Sequence, residues 1–361
     1  MSGGRQPVVF DVSGHGFGHL AQVAAVIRAL AQDSALRIVV RSALPRDVIR
    51  GFAGAAIETD TAPPDVTMVM HGPSTVDVAA TAARYRGLHA DWDGHVAREA
   101  ARLAALKPAL LVANIPYLSL AAAHHAGIPA IALCSINWFD MYGAYCGGEP
   151  EAPAVLSAME EAYRRADVFL QPAPHMPMTN LPNRRAIGPT GRVGRNRRDH
   201  ICRTLGIAPD KRLVLATLGG IAVDKPLTLP AMAGVHWLAG NGTAAGRTDV
   251  SDSGLLAMRF IDILASADAV LSKVGYSTFV EAACNGVGLV SAPREDWPET
   301  GVSLQWAAQN TNFAEAENGL YDPTSVAEAI TKVLSAPRRP PVEPSGIVEA
   351  AACIRRAAGL A

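Results

Sequence analysis

Residues 267–282 read Ala-Asp-Ala-Val-Leu-Ser-Lys-Val-Gly-Tyr-Ser-Thr-Phe-Val-Glu-Ala. An apolar run leads into a Ser-Lys-x-Gly turn, and helical spacing begins near Ser277 or Thr278. Such a strand–turn–helix brings backbone N–H groups and the positive end of a helix to one point, where a phosphate is favoured. The Ser and Thr hydroxyls would add donors, and Glu281 would be placed to accept from ribose hydroxyls. The plainer alternative is a capping box, in which the hydroxyl and Glu281 merely start a helix.

The same construction occurs near the N-terminus. Residues 8–12 form an apolar run that stops at Ser13-Gly14-His15-Gly16-Phe17-Gly18-His19. Leu20, Val23, Ala24, Ile27 and Leu30 then fall on one helical face, and residues 36–40 read as a second strand. A dinucleotide fingerprint starting at Gly14 would need glycine where His19 stands. It would also want an acid after the second strand, where Arg41 and Ser42 follow Val40. Two departures put an NAD(P) enzyme behind a phosphate or acceptor pocket. His19 and His15, on a glycine-lined turn, are the candidate catalytic residues, because imidazole can take a proton from a hydroxyl nucleophile.

Between and after these turns the alternation continues. Strands are expected at 109–113 and 130–133 around a helix at 119–126, and Gly127-Ile128-Pro129 punctuates the helix end. Prolines and arginines crowd residues 172–203, and we read 179–203 as a linker. A second cycle follows: strand 212–217, the turn Leu218-Gly219-Gly220, then strand 234–238. Helices and strands alternate through 291, with a late helix at 325–334 and a terminal helix at 346–358. The expectation is an α/β chain with an N-terminal domain at 1–178 and a C-terminal domain at 204–344, residues 345–361 returning to the first.

Composition narrows the function. The chain has 361 residues, more than one core usually serves, and 49% hydrophobic residues support two cores. A net charge of -1 gives nucleic-acid binding no electrostatic support. Five dispersed cysteines without a CxxC suggest reduced thiols in a cytoplasmic protein, and neither a signal peptide nor a transmembrane segment is expected. Peripheral membrane contact and oligomeric state stay open. Asp91-Trp92-Asp93 lies in a polar helical stretch rather than after a buried strand, so no metal site is expected.

Together the two turns resemble those of GT-B nucleotide-sugar glycosyltransferases, in particular the MurG-like and UDP-glycosyltransferase-like branch. Gly16-Phe17-Gly18-His19 is similar to the N-terminal turn of that family, and Ser272 to Glu281 to its donor motif. The resemblance implies two Rossmann-like domains with parallel sheets facing across a cleft, and a UDP-sugar donor as co-substrate with no cofactor. It implies donor contacts from Gly219, Gly220, Ser272, Lys273, Gly275, Tyr276, Ser277, Thr278 and Glu281. The loop 293–299 would meet the sugar through Glu295, Asp296 or Glu299. The small-molecule acceptor would lie near Gly16, Gly18, Asn114, Tyr117, Asn137 and Trp138, with His19 as its base or as a diphosphate contact. Inversion without a metal follows from the same likeness.

Two departures stand out. Many relatives orient the histidine with an aspartate after a middle strand, where this chain has Asn114. The acid–glutamine pair that reads the sugar is also spaced irregularly, with Gln305 well beyond Asp296. A UDP-sugar 2-epimerase of the same architecture and a non-catalytic sugar-nucleotide binder are the alternatives.

Overall fold

A computed structural model describes residues 6–61, 65–71, 75–219, 227–240, 246–294 and 296–360. The chain divides into unit 1, Met1–Thr190 with Ser345–Ala361, and unit 2, Gly191–Pro344.

Unit 1 opens with β1 (Pro7–Val12), α1 (Gly18–Leu30), β2 (Arg37–Arg41), α2 (Arg46–Ala53) and β3 (Glu58–Asp60). A two-stranded ribbon, β4 (Met70–His71) and β5 (Thr75–Val76), precedes α3 (Val78–His89) and α4 (Trp92–Leu106). Next come β6 (Leu110–Asn114), α5 (Tyr117–His125), β7 (Ala130–Leu133), α6 (Trp138–Cys146), α7 (Ala152–Arg164), β8 (Val168–Pro172) and β9 (Arg184–Ile187). The parallel sheet runs β3-β2-β1-β6-β7-β8-β9. Val8, Phe10 and Val12 enter one core while Val9 and Asp11 face the other way, and both faces are buried, as a helix-covered parallel sheet requires.

On that second face the register sets Asp11 opposite Arg41. Arg41 donates from Nε and Nη2 to Asp11 at 2.6 and 2.5 Å, and its Nη2 also lies 2.7 Å from Glu99 on α4. All three are almost fully buried, where an unpaired charge is strongly unfavourable, so the arginine is committed to these carboxylates. It has no reach left for the ribose phosphate of a dinucleotide.

Unit 2 contains α8 (Arg198–Leu205), β10 (Arg212–Thr217), β11 (Val235–Ala239), β12 (Val250–Asp252), α9 (Phe260–Ser266), β13 (Ala269–Ser272) and α10 (Tyr276–Cys284). It ends with β14 (Gly288–Ser291), α11 (Thr300–Asn310), β15 (Phe313–Glu315) and α12 (Pro323–Ser335). Its parallel sheet runs β12-β11-β10-β13-β14-β15. Leu213 and Leu215 pack into one core, Val214 and Ala216 into the other.

The stretch 179–203 is not the plain connection that its prolines and arginines suggested. It carries β9, an edge strand whose arginines are exposed, and the first turns of α8.

A last helix, α13 (Gly346–Ala357), belongs to unit 1. It buries Ala350 and Ile354 in the unit 1 core, pairs Arg355 with Asp33, and accepts the Gly188 N–H on Glu349 at 3.1 Å. Gly346 lies so close to Gly188 that a Cβ would collide with the Gly188 carbonyl. Gly346→Ala is therefore expected to cost about 1–3 kcal/mol through overpacking. A thermal melt should show the midpoint lowered by several degrees, and an unchanged midpoint would mean that the helix docks differently.

Candidate functional site

In open α/β sheets ligands gather beyond the carboxyl ends of the strands, at the point where strand order reverses. In unit 1 that point lies between β1 and β6, and in unit 2 between β10 and β13. Each has a polar turn.

In unit 1 the register pairs Val12 with Asn114, so the end of β6 meets the β1–α1 turn. Asn114 donates from Nδ2 to the Leu133 carbonyl at 2.6 Å and to Gln22 Oε1 at 2.7 Å. A backbone carbonyl only accepts, which fixes the amide orientation and leaves Oδ1 facing His19 Nδ1 at 2.7 Å. His19 therefore carries its proton on Nδ1, and Nε2 is the basic nitrogen. Gln22 extends the network by donating to Ser135 Oγ at 3.0 Å. Burial holds the His19 pKa down to about 4, although the Asn114 hydrogen bond opposes the shift. His19 is thus neutral at pH 7 and able to accept a proton, but a neutral amide gives its charged form little support.

The other residues expected on the acceptor side take varied places. Gly16 adopts a φ of 67°, a left-handed conformation suited to glycine, and Gly18 begins α1 at the surface. The His15 ring stands edge-on to Trp138 at 5.7 Å, and the His19 ring is tilted to the same indole at 5.6 Å. Trp138 and Tyr117 are 0% and 1% exposed, so they are core residues rather than surface platforms. Tyr117 is stacked with Trp92 and His89, and its hydroxyl meets His89 Nε2 at 2.8 Å. Asn137 is buried and caps α6, accepting from the Asp140 N–H at 2.6 Å. Sequence reading passed over Asp65, whose carboxyl group is buried near Ser13, Gly14 and Trp138.

In unit 2 the register sets Thr217 beside Ser272, so the β10 and β13 turns adjoin. Gly219 has a φ of 81°, and a Cβ there would lie 3.8 Å from Lys273 Cε. Lys273 follows at the head of the turn; burial, then the nearby Arg294 charge, lowers its pKa to about 8. α10 begins at Tyr276 with Gly275 at its N-cap, and Ser277 and Thr278 lie in its first turn. Glu281 is the sixth residue of the helix, so the capping box is absent. Arg294 lies over the Trp297 ring at 4.0 Å and 3.5 Å from exposed Asp296, while Glu299 accepts from the Trp297 indole at 3.2 Å. Gly220 and Glu295 lie outside the described residues.

Glu281 is 2% exposed, and its Oε1 accepts from Arg192 Nε. Burial raises its pKa, and the Arg192 charge opposes the shift. Asn285 staples the arginine's backbone to α10, donating to the Arg192 carbonyl at 3.0 Å and the Glu281 carbonyl at 2.7 Å. Arg192 belonged to the arginine-rich stretch, where composition alone did not distinguish it from its neighbours.

A chain with two such parallel-sheet units has the GT-B fold. It is similar to the solved glycotransferase of kitacinnamycin, at 16% identity over 98% of this chain and 100% of that one, with a TM-score of 0.63. It is also similar to CalG4, the calicheamicin glycosyltransferase, at 17% identity over 98% and 94% of the two chains, TM-score 0.57. A putative UDP-N-acetylglucosamine 2-epimerase from Listeria monocytogenes matches at 14% identity over 98% and 96%, TM-score 0.58. At these identities the likeness establishes the fold. No family model matches the chain, and no curated protein does. Among the described residues no helix is long and apolar enough to cross a membrane.

Proposed function

We propose that this chain transfers a sugar from a nucleoside diphosphate sugar, a UDP-sugar, to a hydroxyl or amine of a small acceptor, inverting the anomeric carbon without a metal. The observation that carries this reading is the pair of polar turns, one at the reversal point of each sheet. Unit 2 binds the donor: Gly219, Ser272, Gly275 and the start of α10 face the diphosphate, Lys273 supplies positive charge, and Glu281 takes the ribose hydroxyls. Asp296 lies near the sugar. Unit 1 binds the acceptor around the His19 turn.

In the reaction the acceptor oxygen or nitrogen bonds to the anomeric carbon as the bond from that carbon to the diphosphate oxygen breaks. His19 Nε2 takes the acceptor proton, and UDP departs with the electron pair. Oriented N–H groups and Lys273 stabilise the charge gathering on the leaving diphosphate. The GT-B glycosyltransferase structures similar to this chain support the reading.

The epimerase structure among the neighbours favours a second reading, interconversion of UDP-sugars at C2. One experiment separates the two. UDP and GDP are first tested for thermal stabilisation, since a ligand that binds only the folded state raises the melting temperature. A panel of UDP-sugars is then incubated with and without alcohol, phenol and amine acceptors, and products are followed by mass spectrometry. Transfer gives a glycosylated acceptor plus UDP, whereas epimerisation gives an isomeric UDP-sugar. If neither nucleotide stabilises the protein, the proposal fails.

A further inference from the structure

A proton taken by His19 creates an imidazolium in a buried setting, and its Nδ1 partner is a neutral amide. A buried cation needs an anion close by. The described residues of unit 1 supply one from an unexpected place. Asp65 lies on the segment that leads from β3 to β4, and both carboxylate oxygens are buried without a hydrogen-bond partner of full geometry. The groups turned toward it are the Ser13 hydroxyl, the Trp138 indole N–H and the Gly14 N–H. The indole N–H likewise lacks a well-formed partner. The segment is fixed in place: Tyr85 donates to the Val66 carbonyl at 2.8 Å, and the Val69 N–H donates to Thr81 Oγ1 at 2.9 Å.

We propose that Asp65 is a positioning residue for the His19 base, its carboxylate supplying the negative charge that Asn114 does not and holding the indole against which both histidine rings pack. This rests on His19 being the acceptor base in the reading above. The carboxylate acts through Trp138 and the Ser13-Gly14 backbone, which carries His15 and leads into His19. Burial, opposed by these donors, raises the Asp65 pKa to about 6, so the group is mainly ionised at neutral pH. The other titratable groups facing the pair are Asp11, held by Arg41 beside Glu99, the phenols Tyr85, Tyr117 and Tyr163, His15, and Cys134, whose Sγ is 3.7 Å from His19 Nδ1.

The test uses the full chain with Asp65→Asn, Asn114→Asp and the double variant, each checked for an intact thermal transition. The His19 imidazole is titrated by NMR, with His19→Gln to assign the signal. Asp65 takes its proton near pH 6, well above the His19 midpoint. The wild-type His19 signals should therefore shift with an inflection near pH 6 that Asp65→Asn removes, reporting the charge beside the imidazole. Turnover of a UDP-sugar should fall roughly 10–100-fold in kcat with donor KM little changed, as for a lost contribution to acid–base catalysis. Asn114→Asp should restore most of that loss in the Asp65→Asn background, because a carboxylate again faces the imidazole. An inflection near pH 6 in the His19 signals that persists in folded Asp65→Asn overturns the proposal, as does a kcat deficit that Asn114→Asp leaves untouched. Should the wild type turn over no UDP-sugar, the transferase reading falls, and the NMR titration still decides the role of Asp65.

Discussion

Glu281→Ala is expected to abolish detectable UDP binding and to destabilise unit 2 by about 3–5 kcal/mol, the usual loss when one partner of a buried ion pair is removed. The two effects have different origins. The stability loss comes from leaving the Arg192 guanidinium, only 13% exposed, without the carboxylate it donates to. The binding loss comes from removing an acceptor for the ribose hydroxyls. Charge-assisted hydrogen bonds contribute about 1.5–3 kcal/mol each, so the dissociation constant should rise roughly 100-fold or more. The double variant Arg192→Met with Glu281→Leu separates them. An apolar pair of similar volume often restores the stability of a buried ion pair. The double variant should melt near the wild type, yet calorimetry should still detect no UDP binding. If binding returns with stability, Glu281 serves the fold and not the ligand.

His19→Ala should leave UDP binding intact and lower turnover roughly 10²–10⁴-fold, the range for losing a general base. The His19 pKa shapes two pH dependences. Protonation of His19 should not limit activity until pH nears its value of about 4, so a fall in kcat near pH 6 would report Asp65 taking its proton and not the imidazole. Stability behaves otherwise. Between that folded value and an unfolded one near 6.5 the unfolded chain binds the extra proton, so acid favours unfolding. The His19 contribution, about 3 kcal/mol, is complete above pH 6.5 and lost as pH falls toward 4. His89 is held down to about 4 by burial and adds to the same window. Denaturant unfolding at several pH values should give His19→Gln a flatter acid limb than the wild type. Equal slopes would mean that His19 does not lose its proton on folding.

The fold was legible because its signals were local. A strand that breaks at glycine and restarts as a helix is visible within a dozen residues, and it occurs at both reversal points. Partnerships across the sheet were not visible. Asp11 and Arg41 are thirty positions apart, and Glu99 joins them from a different helix. In sequence Arg41 marked only the place where a dinucleotide fold wants an acid, whereas in the structure it is an internal counter-ion. Arg192 meets Glu281 across 89 positions. Composition also misled where one residue type serves two ends. Exposed arginines on an edge strand look like those of a solvated linker, so β9 went unseen. Tyr117 and Trp138 stand after strands, as binding aromatics do, but they fill the core. Asp65 follows Ala-Pro-Pro in a stretch without periodicity, and only the folded chain brings it to the Ser13 turn.

The return of α13 to unit 1 has a consequence for the order of synthesis. Residues 1–190 leave the ribosome before the helix that covers part of their core, and the 154 residues from 191 to 344 are made in between. At about 5–20 residues per second that interval is roughly 8–30 s. Meanwhile the nascent first unit exposes the apolar site that Ala350 and Ile354 later fill. Unit 2, continuous in the chain, can complete its own sheet during that wait. The first unit to be started is thus the last to be finished.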